Sequence, residues 1–295
     1  MNQSDTEDSR MDLHVHSCYS DGTLSPKALV FLANGLKLSG ISITDHDNVA
    51  AWADLKGQIT PHISLIMGIE LSVQTHDAHE IHLLGYMFDP EHPALVKELL
   101  LFQHQRERRA GEIISAVNRI LARQGQRLIK DSLVLGRSGG SIGRPHIARE
   151  MMRLGIVNSM DSAFKRYLIP CDRPKSFFHA DHAIDLIHRA GGMVSWAHPT
   201  TLSSSFVEIE KQTALLVHHG LDAIEGYHPS LTQLERGRIT EIAGRYGLLV
   251  TGGSDYHGPG WLCEFGSSTV SSSLVPEMVN RAARYDTMLQ SSTFL

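Results

Sequence analysis

The sequence lacks several features that define other classes of protein. No apolar run reaches the roughly 20 residues that a membrane-spanning helix needs, so we expect no membrane partner. The first ten residues, MNQSDTEDSR, are polar and acidic, and they do not have the basic and apolar segments of a secretory signal. We therefore expect residues 1–10 to be a disordered leader.

Cysteine is scarce and is not arranged for cross-linking. The three cysteines, Cys18, Cys171 and Cys263, are far apart, odd in number and without a CxxC pair. A disulfide framework is therefore not expected. Because proteins of the reducing cytoplasm use cysteine in this way, we expect a cytoplasmic location.

A strong charge of either sign is also absent, whereas histidine is abundant. The chain has 27 basic and 32 acidic residues, which gives a net charge of −5. This balance does not indicate broad nucleic-acid binding, although it allows a local cationic site. The 18 histidines are scattered along the chain. Histidine is the commonest metal ligand, so their number favours a metal site.

The apolar pattern predicts an α/β protein. Hydrophobic residues make up 42% of the 295 positions, enough for a substantial core. Helical patterns lie between many of the predicted strands, for example at residues 26–38 after Ser25 and at residues 181–190. This alternation favours a parallel sheet, and seven strands favour a closed or nearly closed barrel. The predicted strands are Leu13–His16, Ile41–Asp45, Ser64–Val73, Glu80–Tyr86, Met193–Ala197, Ala223–Tyr227 and Leu248–Thr251.

Residues 90–178 interrupt the alternation of strands and helices. This stretch is charged and helix-rich, and it contains a glycine-rich loop at Gly136–Gly143. We interpret it as a helical insertion between the fourth and fifth strands that sets substrate specificity. Residues 11–89 and 179–295 then form the barrel.

Candidate metal ligands concentrate at the predicted strands and just beyond them. His14 and His16 are two residues apart on a strand, so their side chains point to the same face. The active sites of (β/α) barrels lie at the carboxyl ends of their strands, where the other candidates are also expected. Each ligand alone has a structural explanation, such as a helix cap, a turn or surface exposure. Burying all of them without a metal would cost several kcal/mol for each charged group, about the scale of an unpaired buried ion. The candidates are His14, His16, Asp21, His46, Glu70, His82, His198, Asp255 and His257.

These motifs resemble those of the PHP (polymerase and histidinol phosphatase) family. Residues 14–22, HVHSCYSDG, are similar to the family's first motif, with Ser17 in place of the usual threonine. Residues 44–47, the pair His198-Pro199 and residues 253–257 are similar to the later motifs. The resemblance implies a distorted seven-stranded (β/α) barrel and metal-dependent hydrolysis of phosphate esters by a metal-bound hydroxide.

The resemblance also implies how the ligands divide among two or three divalent ions. The resemblance implies manganese as the metal, and mixed imidazole and carboxylate ligands also suit zinc or iron(II). Asp45 is expected to orient a ligand, and His79 is expected at the surface. One ion would take His14, His16, Glu70 and Asp255, a second would take Glu70, His82 and His198, and a third would take Asp21, His46 and His257.

Substrate recognition is expected from the insertion. Arg144 and His146, in Gly-Arg-Pro-His, resemble an element of PHP enzymes that act on nucleoside 3′,5′-bisphosphates or trim short RNA from its 5′ end. In that subgroup they would hold the non-scissile phosphate, whereas an ordinary salt bridge is the structural alternative for Arg144. Tyr227 and His228 are candidates to line the cleft. Phe177, Phe178 and Trp196 are candidates to stack on a base, although core packing is favoured for each.

The sequence thus predicts a metal-dependent phosphoesterase for nucleotides, with His198, His257 and Asp255 as its catalytic residues. The expected substrates are nucleoside 3′,5′-bisphosphates, nucleoside monophosphates or short 5′-phosphorylated RNA. Three alternatives stay open: a histidinol-phosphate-type phosphatase, an amidohydrolase, and a non-catalytic PHP module stabilised by metal.

Overall fold

A computed structural model describes residues 9–56, 63–131, 134, 140–261 and 263–291, with the backbone alone for residues 286–291. Most of the expected leader and part of the glycine-rich loop, residues 1–8 and 136–139, lie outside the described residues. The seven predicted strands are present, together with two strands of two residues each.

The strands form one mixed sheet in the order β8-β7-β6-β4-β3-β2-β1-β9, and β5 pairs with β3 beside this path. Most neighbouring strands are parallel, as the βα pattern predicts. The bounds are β1 Arg10–Val15, β2 Gly40–Ile43, β3 Ser64–Gln74, β4 Glu80–Tyr86, β5 Phe178–His179, β6 Met193–Trp196, β7 Ala223–Tyr227, β8 Leu249–Gly252 and β9 Val270–Ser271.

The helices begin and end at residues that the sequence marks. The Ser25 hydroxyl accepts a hydrogen bond from the Ala28 amide at the start of α1, and Thr232 and Glu235 form a capping box at the start of α8. Gly247 ends α8 in a left-handed conformation with φ of 63°. The described α-helices are α1 Pro26–Gly35, α2 Ala50–Leu55, α3 Pro93–Arg123, α4 Arg144–Arg153, α5 Met160–Ala163, α6 Ala180–Arg189, α7 Phe206–His218, α8 Gln233–Tyr246 and α9 Val275–Ser291.

The prediction of a parallel sheet is wrong for β4, which runs antiparallel to both β3 and β6. A loop of only five residues, 75–79, joins β3 to β4. A parallel crossover needs a dozen or more residues, so this connection can only form a hairpin. The reversal brings the beginning of β4, where His82 lies, to the rim formed by the carboxyl ends of the parallel strands.

The sheet closes into a barrel through the segment that follows β8. The Asp255 amide donates to the His14 carbonyl at 2.8 Å, and the His16 amide donates to the Tyr256 carbonyl at 2.9 Å. Gly253 passes so close to β1 that a Cβ there would lie 2.3 Å from the His14 nitrogen. The end of β1 and the segment after β8 therefore meet at the rim that carries the candidate ligands.

The hydrophobic core is divided between the barrel and the helical segment before β5. The first half of α3 packs in the barrel core through Leu95, Leu99 and Phe102. Its second half packs with α4 and the helical turns near residue 164 in a separate cluster. Trp196 is fully buried, and Phe178 stacks on Phe102 with ring centroids 4.5 Å apart. Both aromatic rings belong to the core.

Candidate metal centre

The nine predicted ligands lie together at the closed rim of the barrel. His14 is on β1, Glu70 is on β3 and His82 is on β4, whereas the other six follow the ends of strands. Glu70 is 1% exposed and is central to the group. Its carboxylate oxygens lie 2.8 to 3.6 Å from ring nitrogens of five histidines: His14, His16, His46, His82 and His198.

The ligand atoms form four overlapping groups, within each of which all atoms lie within 4.8 Å of one another. The members shared between groups are His14, His16, His46 and Glu70, so the four groups are parts of one continuous cluster. The groups are His14, His16 and Asp255; His14, Glu70 and His198; His46, Glu70 and His82; and His16, Asp21, His46 and His257.

Several ligand atoms in this centre are buried without a hydrogen-bond partner. They are His14 Nε2, His16 Nε2, Asp21 Oδ1, His46 Nδ1 and Glu70 Oε2. A buried polar atom that is left unpaired costs about 1–3 kcal/mol, and more when it is charged. Divalent cations would satisfy all five atoms at once, because imidazole nitrogen and carboxylate oxygen are both good ligands for such ions. The donor set therefore fits bound metal.

Outer hydrogen bonds set the ring tautomers of His14 and His16. His14 Nδ1 lies 3.1 Å from Glu225 Oε1, and an ionised carboxylate can only accept, so Nδ1 carries the proton. Ser20 donates its hydroxyl proton to Asp45 at 2.6 Å, so its oxygen accepts from His16 Nδ1 at 3.3 Å. When neutral, both rings would have a lone pair on Nε2 directed into the centre, which is the form that binds metal.

The same arrangement holds His198 and His257. The Thr201 hydroxyl donates to the His198 carbonyl at 2.9 Å, so its oxygen accepts from His198 Nδ1 at 3.1 Å. His257 Nδ1 donates to the Asp255 carbonyl at 2.8 Å. In their neutral forms, both residues would therefore present Nε2 to the centre as a ligand.

Local backbone strain accompanies the ligands. Asp255 has φ of 51° and His198 has φ of 28°, and Asp47, next to His46, has φ of 48°. A positive φ is uncommon for residues other than glycine, and such strain concentrates at functional sites. The turns that follow β2, β6 and β8 are therefore held in conformations that aim side chains at the rim.

The electrostatics of the centre favour charged carboxylates and neutral imidazoles at particular positions. Burial opposes ionisation, but the histidines around Glu70, with His46 and His82 foremost, hold the pKa of that carboxyl well below its usual range. Burial also opposes ionisation of Asp255, but the neighbouring histidines, His14 foremost, hold the pKa of its carboxyl well below its usual range. Burial, reinforced by His257, lowers the pKa of His16 to about 4. A neutral His16 beside ionised carboxylates is the state that metal binding requires.

The predicted substrate residues of the insertion, Arg144 and His146, lie at the start of α4. Arg144 pairs with Asp172, which also accepts from Arg109. Both ring nitrogens of His146 are engaged: the Gly143 amide donates to Nδ1 at 3.0 Å, and Nε2 donates to the Ser20 carbonyl at 2.6 Å. His146 therefore fastens the start of α4 to the loop that carries Asp21.

The rim also holds His228, another predicted substrate residue, close to the ligands. Its Nε2 is buried without a hydrogen-bond partner and lies 3.5 Å from Asp255 Oδ2. The Ser230 amide donates to His228 Nδ1 at 3.2 Å, so the neutral ring carries its proton on Nε2. Unlike the neutral forms of the four rings above, neutral His228 has its proton on the nitrogen that faces Asp255. Its neighbour Tyr227 is exposed, with its ring near Arg236.

The sequence prediction missed residues that hold the ligands in place. Glu225 contacts His14 and also accepts from the His198 amide at 2.7 Å. Arg106 of α3 donates to Asp47, which follows His46 in the chain. Arg149 of α4 donates to the Asp21 carbonyl. A lone carboxylate in an apolar strand was a detectable signal for Glu225, whereas the two arginines carried none.

The other predicted side chains have simpler surroundings. Asp45 accepts from the Ser17 amide at 2.8 Å and acts on His16 only through Ser20. His79 lies in the loop between β3 and β4 and is partly exposed. No helix among the described residues is both long enough and apolar enough to cross a membrane.

A mixed barrel with clustered imidazoles and carboxylates at one rim is the structure of a metal-dependent hydrolase.

Comparison with known proteins identifies the family. The model of the PHP domain matches residues 12–155. The 5′-3′ exoribonuclease Rnm of Escherichia coli K12 is 33% identical over 254 residues, which cover 84% of this chain and 85% of that protein. The 3′,5′-nucleoside bisphosphate phosphatase of Chromobacterium violaceum is 29% identical over 258 residues, which cover 85% and 88%.

A solved structure agrees with these relatives. A Bifidobacterium adolescentis protein assigned as a metal-dependent phosphoesterase superposes with a TM-score of 0.80 at 29% identity, covering 92% of this chain and 96% of the other. The chain belongs to the PHP family and is a phosphoric ester hydrolase. The predictions of the family, the barrel fold and the phosphoesterase class are confirmed.

Proposed function

We propose that this phosphoesterase acts on nucleotides: nucleoside 3′,5′-bisphosphates, nucleoside monophosphates or short 5′-phosphorylated RNA. The observation that carries the metal dependence is the set of buried, unpaired ligand atoms at the rim. The substrate class is supported by two relatives, one an exoribonuclease and the other a nucleoside bisphosphate phosphatase. The three free cysteines agree with action in the cytoplasm.

We propose two or three divalent ions per chain, with manganese as the physiological metal. His14, His16, Glu70 and Asp255 would hold one ion. His82 and His198, which lie 2.8 and 3.0 Å from the same Glu70 oxygen, would share that carboxylate for a second. The third would use Asp21, His46 and His257, with His16 near enough to contribute. Divalent ions supply Lewis-acid charge that activates water and stabilises the oxygens of the reacting phosphate.

The protein's own groups then orient the substrate and supply a hydrogen bond. Asp255 and His257 act by holding metal, as does His198. His228 is the candidate donor to the substrate, because its Nε2–H lies at the rim, 3.5 Å from Asp255 Oδ2, and makes no close hydrogen bond among the described residues. A hydrogen bond from this atom to the ester oxygen would stabilise the negative charge that develops as the bond breaks.

A second phosphate would be recognised at the start of α4. Arg109 and Arg144 share one carboxylate, that of Asp172, which leaves one positive charge unbalanced. Asp172 and Arg144 are each about one-third exposed, so a phosphate dianion can reach them. Arginine binds phosphate through two parallel hydrogen bonds, and a dianion would compete with Asp172 for Arg144.

The direct test is an assay of phosphate or nucleotide release with added manganese. The substrates to compare are AMP, 3′,5′-bisphosphoadenosine, histidinol phosphate and a short 5′-phosphorylated RNA. We expect metal-dependent turnover with preference for a substrate that has two nearby phosphates. Preference for histidinol phosphate would contradict the nucleotide proposal. Absence of turnover with every substrate, at full metal occupancy, would favour a non-catalytic module.

Arg144→Ala tests the second phosphate site. We expect kcat/KM for 3′,5′-bisphosphoadenosine to fall about 10- to 100-fold, the size expected for losing a charged hydrogen bond, with little change for AMP. Arg189→Ala is a matched control, because Arg189 pairs with Asp185 on the exposed face of α6. Equal losses on the two substrates would show that Arg144 supports the fold and does not select the second phosphate.

A further inference from the structure

A second group of histidines lies away from the barrel rim. His76 is in the loop between β3 and β4, His179 ends β5, and His219 follows the last residue of α7. They are neighbours because β5 pairs in parallel with β3, with His179 opposite Gln74. Asp181, in the first turn of α6, joins them, and we call these four residues the peripheral histidine cluster.

Ring centroids within this cluster are as close as some in the centre, but among the described residues its ligand atoms do not converge within 4.8 Å as those of the centre do. The ring of His76 lies 5.7 Å from that of His219 and 6.3 Å from that of His179. In the centre, the rings of His14 and His198 are 5.8 Å apart. His76 Nε2 is 3.8 Å from Asp181 Oδ2. Two ligands on one tetrahedral zinc ion are separated by about 3.3 Å, from bonds of roughly 2.0–2.1 Å.

The side chains of the cluster can rotate to bring their ligand atoms to the separation that zinc requires. The side chain of His76 is 66% exposed and that of Asp181 is 42% exposed, so small rotations meet no packed core. Although burial opposes it, the His182 backbone N–H, together with His76 and His219, lowers the pKa of Asp181. Both rings therefore face the same ionised carboxylate.

We propose that His76, His179, His219 and Asp181 form a second metal site, selective for zinc over manganese. Three imidazoles with a single carboxylate favour zinc, because affinities for nitrogen ligands rise from manganese towards the end of the first-row series. Bound zinc would connect the loop between β3 and β4 to α6 and α7. Those two strands carry Glu70 and His82, so the site would stiffen the hairpin that contributes to the centre.

The test compares zinc binding by the full chain and by the double variant His76→Ala/His219→Ala. Both proteins are loaded with manganese, equilibrated with zinc, passed through a desalting column and analysed for both elements. We expect the wild-type chain to retain one more equivalent of zinc than the double variant. Because both have the same centre, zinc that displaces manganese there cancels in the difference. His104→Ala is the control, since His104 is an equally exposed histidine on α3.

Two further readouts separate this site from the centre. Zinc should raise the Tm of the wild-type chain, after saturation with manganese, by about 3–5 °C, the size expected for tight binding to the folded state alone. The double variant should show no such rise and should keep its manganese-dependent turnover. Equal zinc retention by the two proteins, or equal Tm shifts, would overturn the proposal. Loss of turnover in both proteins would count against the proposed function only.

Discussion

At the scale of single residues, the centre depends on the groups behind its ligands. Glu225 is fully buried, accepts from His14 Nδ1 and accepts from the His198 amide. Burying a fourth carboxylate among Asp21, Glu70 and Asp255 adds to the desolvation cost. That cost is offset when the imidazoles and cations beside it are in place. Glu225 is therefore a positioning residue that makes the centre more dependent on cations.

Glu225→Gln should weaken metal binding while leaving the nine ligands intact. An amide is uncharged. It can accept a hydrogen bond from His14 Nδ1 through its carbonyl or donate one through its NH₂ group, so the tautomer of His14 is no longer fixed. We expect manganese affinity to fall about 10- to 100-fold, as is typical when an outer partner of a ligand is removed. Turnover measured against manganese concentration should recover at saturation.

A matched control for that variant is Glu241→Gln, because Glu241 is exposed on α8. Elemental analysis and a manganese titration of kcat provide the measurements. An unchanged titration curve for Glu225→Gln would show that His14 is oriented without its carboxylate. A fall in kcat that persists at saturating manganese would assign Glu225 a role beyond metal binding.

The clustering of the nine candidate ligands could be predicted from their places on strands or after them and from the resemblance to the PHP motifs. His14 and His16 share a face by their spacing, and His46, His198 and Asp255 follow apolar runs. Arg106 and Arg149 could not be predicted, because their partners are a loop carboxylate and a backbone carbonyl distant in the sequence. Such contacts depend on how the helices pack on the barrel, which periodicity does not specify.

At the scale of elements, the closing contact between β1 and the segment after β8 determines the shape of the centre. Gly253 lies against His14, and an added Cβ would be 2.3 Å from the His14 nitrogen and 2.4 Å from its Cβ. A side chain at this position would separate the two strands. The distance between His14 and Asp255, now 3.3 Å from Nε2 to Oδ1, would then increase.

Gly253→Ala should lower both stability and metal affinity. We expect the free energy of unfolding to fall by about 1–3 kcal/mol, the usual cost of overpacking, measured by urea denaturation of the metal-free protein. Gly111→Ala is the control, because Gly111 lies within α3 and a Cβ there meets nothing within 4 Å. That control should gain about 0.5–1 kcal/mol. Equal stability of both variants would mean that the rim relaxes around the new methyl group.

The direction of β4 was not predicted correctly from the sequence pattern. The strand itself was predicted with its bounds, yet alternation with helices favoured a parallel sheet. The five residues between β3 and β4 were sufficient to predict a hairpin. Because the hairpin turns back on itself, Ser72 and His82 lie opposite each other and His82 reaches Glu70.

At the scale of the whole molecule, the charges of the centre connect metal binding to global stability. Asp21, Glu70 and Asp255 are held at the rim where β1 meets the segment after β8. Without metal ions, their mutual repulsion is balanced by the surrounding histidines and, at Asp21, by Arg149. Any ion that binds the folded chain and not the unfolded one stabilises the fold by mass action.

Removal of metal should therefore lower the melting temperature. We expect EDTA, followed by desalting, to reduce Tm by at least about 5 °C relative to the chain with excess manganese. The measurement is calorimetry or far-ultraviolet circular dichroism at a fixed pH. Added manganese should restore the original Tm, whereas added magnesium should restore less of it. An identical Tm before and after chelation would contradict a metal-bearing rim.

The meeting of β1 with the segment after β8 also sets an order of events during biosynthesis. His14 precedes Asp255, and His16 precedes His257, by 241 residues. A growing chain cannot assemble the complete centre until Asp255 and His257 have been made. Acquisition of ions by the complete centre, and with it hydrolytic activity, must therefore follow the synthesis of these two residues, so chains released before them would be inactive.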